Sequence, residues 1–555
     1  MNRRASSLST AVLFATASLA AWLGPTSRGA AAERPNFVLI LCDDMGWSDI
    51  GCYGGEVETP HLDRLAAEGL RFTQFYNNAK CTTTRASILT GLYPRRDKGG
   101  LLRRNMVTLG EVLRSGGYRT ALSGKWHLGK GPDTHPHRRG FDEYYGLLDG
   151  CCNFFDPSRP DPPYKGGRVR SFGHNDRRIT EFPPGYYTTD AFTDHAIETL
   201  RGFVKDGGPF FLHLCYTAPH YPLHAKPEDI ARYRGKYRMG WDELRRRRWR
   251  RQVEMGLVDP STWKLSETDS RAYDWDAADQ DFEDHRMAVY AAMIHAMDRN
   301  IGRLMTALAD LGVEENTVVM FLSDNGGCAE EPGGRDPKKR TPGPMDDYVA
   351  VGPAWGWAQN APFRRYKSWV HEGGVATPCI VRWPGKVQPN RITREVGHII
   401  DVLPTFCELA GVPYPRRFQG RDILPVEGRS LVPVLEGRTR SGPPHLFWEW
   451  SGNRAVRRGQ WKLVWDKLVR RWELHDLAAD RTETRDLASE RPDLVKELQQ
   501  SWFDWAGATG VRIGPAKRKK ADRARKSKAK GAKAERAKAK AEGAKAKATK
   551  ATKEP

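Results

Sequence analysis

Asn36-Phe37-Val38-Leu39-Ile40-Leu41-Cys42-Asp43-Asp44 is a continuous apolar run of strand length that ends in two adjacent carboxylates. An unbroken run without polar alternation suits a strand buried on both faces, the situation of a parallel sheet covered by helices. A helical pattern follows at His61 to Gly69, with Thr59 as a cap and Pro60 at the first helical position. Tyr118 to Leu122, Phe210 to Tyr216, Val318 to Ser323 and Cys379 to Trp383 repeat the buried-strand pattern. Between them lie segments of helical spacing, chiefly Asp284 to Leu311. Strands alternating with helices predict an α/β body with a mainly parallel central sheet flanked by helices. In such sheets, ligand sites gather beyond the carboxyl ends of the strands.

From about Leu431 the pattern changes to short runs at Leu446 to Trp450, Asn453 to Arg457 and Trp461 to Trp465, then a helix-like Asp493 to Trp505. That predicts a smaller C-terminal antiparallel sheet with a packed helix. The arginine-rich stretch Trp241 to Gln252 reads as a solvated helix or loop.

The charge of +21 over 555 residues invites an acidic-polymer partner, but it is concentrated at one end. Lys517 to Pro555 holds 17 Lys/Arg against 4 Asp/Glu, or +13 of the total. This Lys/Ala-rich segment has almost no apolar face, so it predicts a disordered tail, with adhesion to an anionic polymer as its functional reading and no specific nucleic-acid code. At the other end, Arg3 and Arg4, the apolar stretch Ala11 to Leu23 and Ala30-Ala31-Ala32 make the pattern of a cleaved export signal. No later stretch approaches a transmembrane span. The expected organisation is a signal peptide at 1–32, a main α/β domain at 33–430, an α+β subdomain at 431–512 and the basic tail at 513–555, in a protein that is periplasmic or extracellular. Nine scattered cysteines show no CxxC metal pattern, and Cys42, Cys215 and Cys379 sit in apolar runs as small buried hydrophobes.

Three polar clusters resist a packing explanation. Asp43-Asp44 closes the first strand, and Asp324-Asn325-Gly326-Gly327 closes the strand at Val318 to Ser323. Adjacent carboxylates repel unless a cation neutralises them. Together the two clusters offer three carboxylates and an amide oxygen, a hard set suited to Ca²⁺ or Mg²⁺. The third, Asn78-Ala79-Lys80-Cys81-Thr82-Thr83-Thr84-Arg85, sets a cysteine four residues before an arginine at the mouth of a helical segment. A helix N-terminus with a fixed cation favours anions.

Here the sequence resembles the type I sulfatases of the alkaline-phosphatase superfamily. Cys81 and Arg85 match the family's C-x-P-x-R or C-x-A-x-R signature, whose cysteine becomes formylglycine; Thr83 stands where Pro or Ala is usual. Gly117-Tyr118-Arg119-Thr120-Ala121-Leu122-Ser123-Gly124-Lys125-Trp126-His127 matches the second signature in full, Ala218-Pro219-His220 the third, and Lys367 ahead of Gly373-Gly374 the fourth. The resemblance runs from about Pro35 to the Trp502 region. It implies an alkaline-phosphatase-like fold, maturation by a formylglycine-generating enzyme and one metal ion, Ca²⁺ with Mg²⁺ as the alternative. Asp43, Asp44, Asp324 and Asn325 would bind it alongside the modified Cys81 side chain. By the same resemblance, Arg85 and Lys125 steady the hydrated aldehyde, His127 deprotonates its second hydroxyl, and His220 and Lys367 hold the sulfate and assist the departing alcohol.

The implied activity is hydrolysis of sulfate esters, with a sulfated polysaccharide as the suggested substrate. Two alternatives are a phosphonate or phosphodiester hydrolase of the same superfamily, which tends to place a histidine where Asn325 stands, and a non-catalytic protein that grips anionic polymers. His224, Arg364, Arg365 and His371 lie close to these elements in sequence and are candidates for substrate contact. Loops such as Cys151 to Thr189 and Asp242 to Asp284 would carry specificity.

Overall fold

The computed structural model describes residues 34–95, 101–267 and 274–511; the expected leader at 1–32 and the tail at 513–555 lie outside the described residues. A central sheet of eleven strands crosses the molecule. The strands are β1 (Asn36–Asp43), β2 (Leu70–Tyr76), β3 (Arg119–Gly124), β4 (Glu143–Leu147), β5 (Phe172–His174), β6 (Arg177–Ile179), β7 (Phe210–Pro219), β8 (Thr317–Ser323), β9 (Ala376–Arg382), β10 (Arg391–Thr393) and β11 (Gly397–His398). Their order is β10-β2-β9-β8-β1-β7-β3-β4-β5-β6, with β11 also paired to β2. The middle, β8-β1-β7-β3-β4, is parallel throughout. β9 runs antiparallel to both β8 and β2, and β4-β5-β6 forms an antiparallel edge.

The opening run is the central strand, and its residues divide by the two-residue period of a strand. Val38, Ile40 and Cys42 enter one core layer, shared with the helices Thr188–Asp206 and Gln280–Asp310. Phe37, Leu39 and Leu41 enter the other, shared with the helices Leu109–Ser115 and Val402–Ala410. All six are fully buried, which is why the run carries no alternation. Truncating one of them, for example Leu39→Ala, costs roughly 2–5 kcal/mol in a core of this kind.

Two local readings are corrected. Thr59 occupies the N-cap of the helix Pro60–Ala67, but its hydroxyl turns to the Gly51 N–H and Asp63 and caps nothing. The first-turn amides of His61 and Leu62 donate instead to the Asp298 carboxylate from the long helix, at 3.2 and 2.8 Å. The arginine-rich stretch is the helix Gly240–Glu254, and only part of it is solvated. Arg246, Arg247 and Arg250 pair with Glu243 on the surface, whereas Arg245 and Arg248 are buried.

Beyond a short hairpin, β12 (Arg417–Phe418) and β13 (Arg421–Asp422), comes a four-stranded antiparallel sheet. It contains β14 (Leu446–Trp450), β15 (Asn453–Arg458), β16 (Trp461–Asp466) and β17 (Arg471–Asp476). Leu498, Trp502 and Ala506 of the helix Pro492–Thr509 pack on Val456, Leu463 and Leu474 of this sheet. Among the described residues no helix is long and apolar enough to cross a membrane.

Candidate active site

The polar clusters of the sequence converge beyond the carboxyl ends of β1, β8, β3 and β7. Asp43 ends β1 and Asp44 follows it; Asp324 and Asn325 follow β8; Lys125 and His127 follow β3; His220 follows β7. The helix Cys81–Thr90 begins with Cys81 in its first position and without a side-chain cap, so the positive end of its dipole lies at Cys81. Lys367 arrives on the loop before the short helix Glu372–Val375. Asp43, Asp44, Lys125, Asp324 and Asn325 are fully buried, and Cys81, Arg85, His220 and Lys367 nearly so.

The backbone is bent to bring them there. Asp44 and His127 hold φ of 66° and 59°, a left-handed conformation that non-glycine residues keep only where surrounding contacts impose it. For Asp44 those contacts are the Asn325 amide donating to its carboxylate at 2.7 Å and the Tyr290 hydroxyl donating to its carbonyl at 3.2 Å. The same hydroxyl donates to Asp49, which also takes a 2.6 Å bond from Arg248. Arg248 is therefore an inner strut behind the first carboxylate pair, which a run of arginines in sequence conceals. Glycine is required at two places. A Cβ on Gly124 would lie 1.9 Å from the Cys215 carbonyl, and one on Gly326 would lie 1.9 Å from the Gly373 carbonyl. The second contact seats the Lys367 loop against the Asp324-Asn325 turn.

Each carboxylate faces a cation. Lys125 lies 2.5 Å from Asp43, Arg85 2.8 Å from Asp324, and Lys367 2.6 Å from Asp44. His220 Nε2 stands 3.4 Å from Asp44, and His127 Nδ1 3.5 Å from Cys81 Sγ. Arg85 also donates to the Lys125 carbonyl at 2.9 Å, tying the helix Cys81–Thr90 to the end of β3. Burial and the neighbouring Asp324 push the Asp43 carboxyl upward. At Asp44 burial acts the same way but is overridden by His220 and Lys367, which hold it well below the usual carboxylate range; Lys367 carries that charge, since burial drives the His220 imidazole toward its neutral form. Burial, reinforced by Lys125 and Arg85, keeps the His127 imidazole neutral. Burial raises the Cys81 thiol despite Lys125 and Lys367, so an unmodified cysteine here is protonated.

The donor set fits a hard divalent cation on a specific observation. Asp43 Oδ1 and Asn325 Oδ1 are buried without a hydrogen-bond partner, and unpaired buried oxygens are costly unless a ligand takes them. Asp43, Cys81 and Asp324 present donor atoms within 4.8 Å of one another. The three carboxylates are already balanced by Arg85, Lys125 and Lys367, so a divalent ion leaves the pocket with a positive excess suited to an anion.

All the sequence-assigned site residues thus meet in one pocket. The four further candidates do not join them. His224 Nδ1 accepts from the Phe154 amide and its ring contacts the Asp347 carbonyl, holding loops together. Arg364 and His371 pair with Glu473, and Arg365 pairs with Asp466, so all three anchor the C-terminal sheet. Their sequence proximity to Lys367 misleads because the chain turns sharply there, with positive φ at Arg365 and Ser368. Glu330 is the site residue that sequence reading missed. It pairs with Lys80 at 2.8 Å, accepts from the Tyr221 hydroxyl and stands 3.9 Å from Lys367, rimming the pocket. Nothing in its local sequence distinguishes it from a loop glutamate.

Comparison with known proteins agrees with this geometry. The sulfatase family model matches residues 35–412, and a model described as N-sulphoglucosamine sulphohydrolase, C-terminal, matches residues 363–504. An uncharacterized sulfatase of Schizosaccharomyces pombe is 33% identical, covering 88% of this chain and 96% of its own length. An arylsulfatase of Klebsiella aerogenes is 31% identical, covering 75% of this chain and 95% of its own. The crystal structure of Ps i-CgsB in complex with k-i-k-neocarrahexaose is similar with a TM-score of 0.63 and 26% identity, over 85% of this chain and 93% of that one. The chain belongs to the sulfatase family and is a sulfuric ester hydrolase.

Proposed function

We propose that this sulfatase removes sulfate from sulfated glycans outside the cytoplasm, using an aldehyde hydrate made from Cys81 as nucleophile and one Ca²⁺ held by Asp43, Asp44, Asp324 and Asn325. The observation that carries this reading is the placement of Cys81 at an uncapped helix N-terminus, within 4.8 Å of the donor atoms of Asp43 and Asp324. A hard cation bound there lowers the pKa of a neighbouring hydroxyl and neutralises sulfate oxygens. A gem-diol at position 81 carries one hydroxyl to attack sulfur and a second to lose a proton.

The chain's own residues divide the remaining work. His127, neutral and 3.5 Å from Cys81 Sγ, takes the proton of the second hydroxyl. Arg85 and Lys125 face the same side-chain position and stabilise the negative charge that develops there. Lys367 and His220 lie on the Asp44 side, where they hold the sulfate and supply a proton to the departing alcohol. Thr83, where the family signature has Pro or Ala, fits the folded helix: its hydroxyl donates to the Lys80 carbonyl at 2.8 Å. Any penalty from Thr83 falls on maturation by the formylglycine-generating enzyme rather than on the mature fold.

The oligosaccharide complex of the similar Ps i-CgsB structure supports a glycan substrate. The Arg3-Arg4, apolar and Ala30 to Ala32 pattern supports export, and the units at 33–430 and 431–512 remain our division of the chain. Initial rates on an aryl sulfate, an aryl phosphodiester and a panel of sulfated polysaccharides test the proposal. Release of sulfate from a polysaccharide is the expected result. Faster phosphodiester cleavage would replace it with the phosphodiesterase reading, and cleavage of small aryl esters alone would remove the glycan.

A further inference from the structure

On the far edge of the sheet, away from the strand ends that carry the active site, two histidines and a glutamate converge from three elements. Glu143 opens β4, His174 ends β5, and His195 lies on the helix Thr188–Asp206 that covers this edge. One donor atom from each lies within 4.8 Å of the others. His174 Nε2 is already 3.5 Å from Glu143 Oε2. In a tetrahedral zinc site, with Zn–N and Zn–O bonds near 2.0–2.2 Å, donors stand roughly 3.3–3.6 Å apart. The pair has that spacing now, and the His195 donor lies within 4.8 Å of both.

The surroundings orient these groups as the outer shell of a metal site does. Asn175, at the turn between β5 and β6, accepts from the Tyr144 amide at 2.8 Å and donates to Glu143 Oε2 at 2.9 Å, fixing the carboxylate. The Tyr145 ring stacks on His195 at 5.0 Å and meets His174 edge-on at 6.0 Å, so one aromatic side chain sets both imidazoles. His195 Nδ1 is buried and has no hydrogen-bond partner, which is an unexplained cost in a settled core. Burial and the adjacent His174 keep His195 neutral, the state in which imidazole ligates.

We propose that Glu143, His174 and His195 form a zinc site, distinct from the oxygen-lined catalytic pocket, that ties the β5–β6 hairpin to the helix Thr188–Asp206. Two nitrogens and one carboxylate select zinc over calcium, whereas the catalytic set of carboxylates and an amide selects the reverse. The fourth position opens to solvent, since Glu143 and His174 are both about one-third exposed. The hairpin leads directly into the segment before Tyr186, part of the loop expected to face substrate, so zinc at this edge steadies that loop from behind.

The test uses the full protein, stripped with a chelator and reloaded with calcium. Zinc alone is then titrated by calorimetry, and X-ray absorption reads the zinc shell. The expected result is one zinc equivalent bound through two imidazoles and oxygen, with calcium-supported sulfatase activity retained. His195→Ala and the more exposed His174→Gln should each weaken that binding by about tenfold or more. His174→Gln keeps the test decisive if His195→Ala does not fold. Zinc binding that is absent in the wild type, or equally tight in wild type and His174→Gln, would overturn the proposal.

Discussion

Two buried ionic clusters lie close together in this molecule, and we assign the reaction to only one of them. The first is the pocket at the strand ends, with Asp43, Asp44, Asp324, Arg85, Lys125 and Lys367. The second joins the central sheet to the C-terminal sheet. There Lys462 bridges Glu372 at 2.6 Å and Glu483 at 2.9 Å, Arg481 pairs with Glu372, and the Tyr76 hydroxyl donates to Glu372 at 3.0 Å. Both are almost fully sealed, and both balance carboxylates against Lys and Arg. They differ in what stands among the charges. In the junction Lys462 sits between two carboxylates that also meet each other's segment, as the Glu372 amide donates to Glu483. In the pocket a thiol stands beside an aspartate oxygen and an asparagine oxygen that have no hydrogen-bond partner; the junction also keeps unpaired polar atoms, on Arg481 and Glu483, and Glu483 is left-handed at φ 60°, but none of its named residues is a cysteine. Buried charge, unpaired polar atoms and imposed backbone conformations therefore do not mark a site by themselves; their meeting with a potential nucleophile does.

The comparison can be broken most directly at Cys81. Cys81→Ala should lower kcat/KM on an aryl sulfate by about 10³-fold or more, with little change in melting temperature. At the junction the pattern should reverse. Lys462→Met removes the cation shared by two buried carboxylates and should cost about 3–5 kcal/mol of stability by chemical denaturation, while the protein that remains folded keeps its kcat/KM. Calcium removal separates the clusters a third way. Chelation should abolish turnover, and readdition at about 100 times Kd should restore about 2.7 kcal/mol of stability in the wild type and in Lys462→Met, but not in Asp43→Asn. The smallest effect is expected at Thr83. In the mature protein Thr83→Ala loses one partly buried hydrogen bond, about 0.5–1.5 kcal/mol, and leaves activity per aldehyde-bearing molecule unchanged.

The two clusters also differ in how far they could be read from sequence. The pocket is written in short segments, since most of its polar groups lie at or just beyond the end of a strand: Asp43-Asp44 on β1, Asp324-Asn325 on β8, Lys125 and His127 on β3, His220 on β7. A strand shows in its apolar run, and the residues just beyond its carboxyl end face the site. The junction has no such handle. Glu372, Lys462 and the turn Arg481-Thr482-Glu483 come from three separate segments, and Lys462 looks like an ordinary outward residue of a two-sided strand. β17 escaped for a related reason: Arg471-Trp472-Glu473-Leu474-His475-Asp476 alternates with charged residues and forms no apolar run. The antiparallel setting of β9 was equally invisible, because a strand buried on both faces carries no mark of its direction. Arg248 was misread because a run of arginines hides the one that turns inward. Arg364, Arg365 and His371 were drawn to the site by proximity in sequence, and the left-handed turn at Arg365 and Ser368 sends them to the junction instead.

The mechanism rests on residue 81. Peptide mass spectrometry across it, on protein produced with a formylglycine-generating enzyme, measures the nucleophile without relying on any substrate. Conversion of the thiol to an aldehyde replaces sulfur by oxygen and removes two hydrogens, a loss of roughly 18 Da. The expected result is that loss on the peptide containing Cys81, in proportion to sulfatase activity across preparations. An unshifted thiol in a preparation that still turns over sulfate ester would contradict the mechanism.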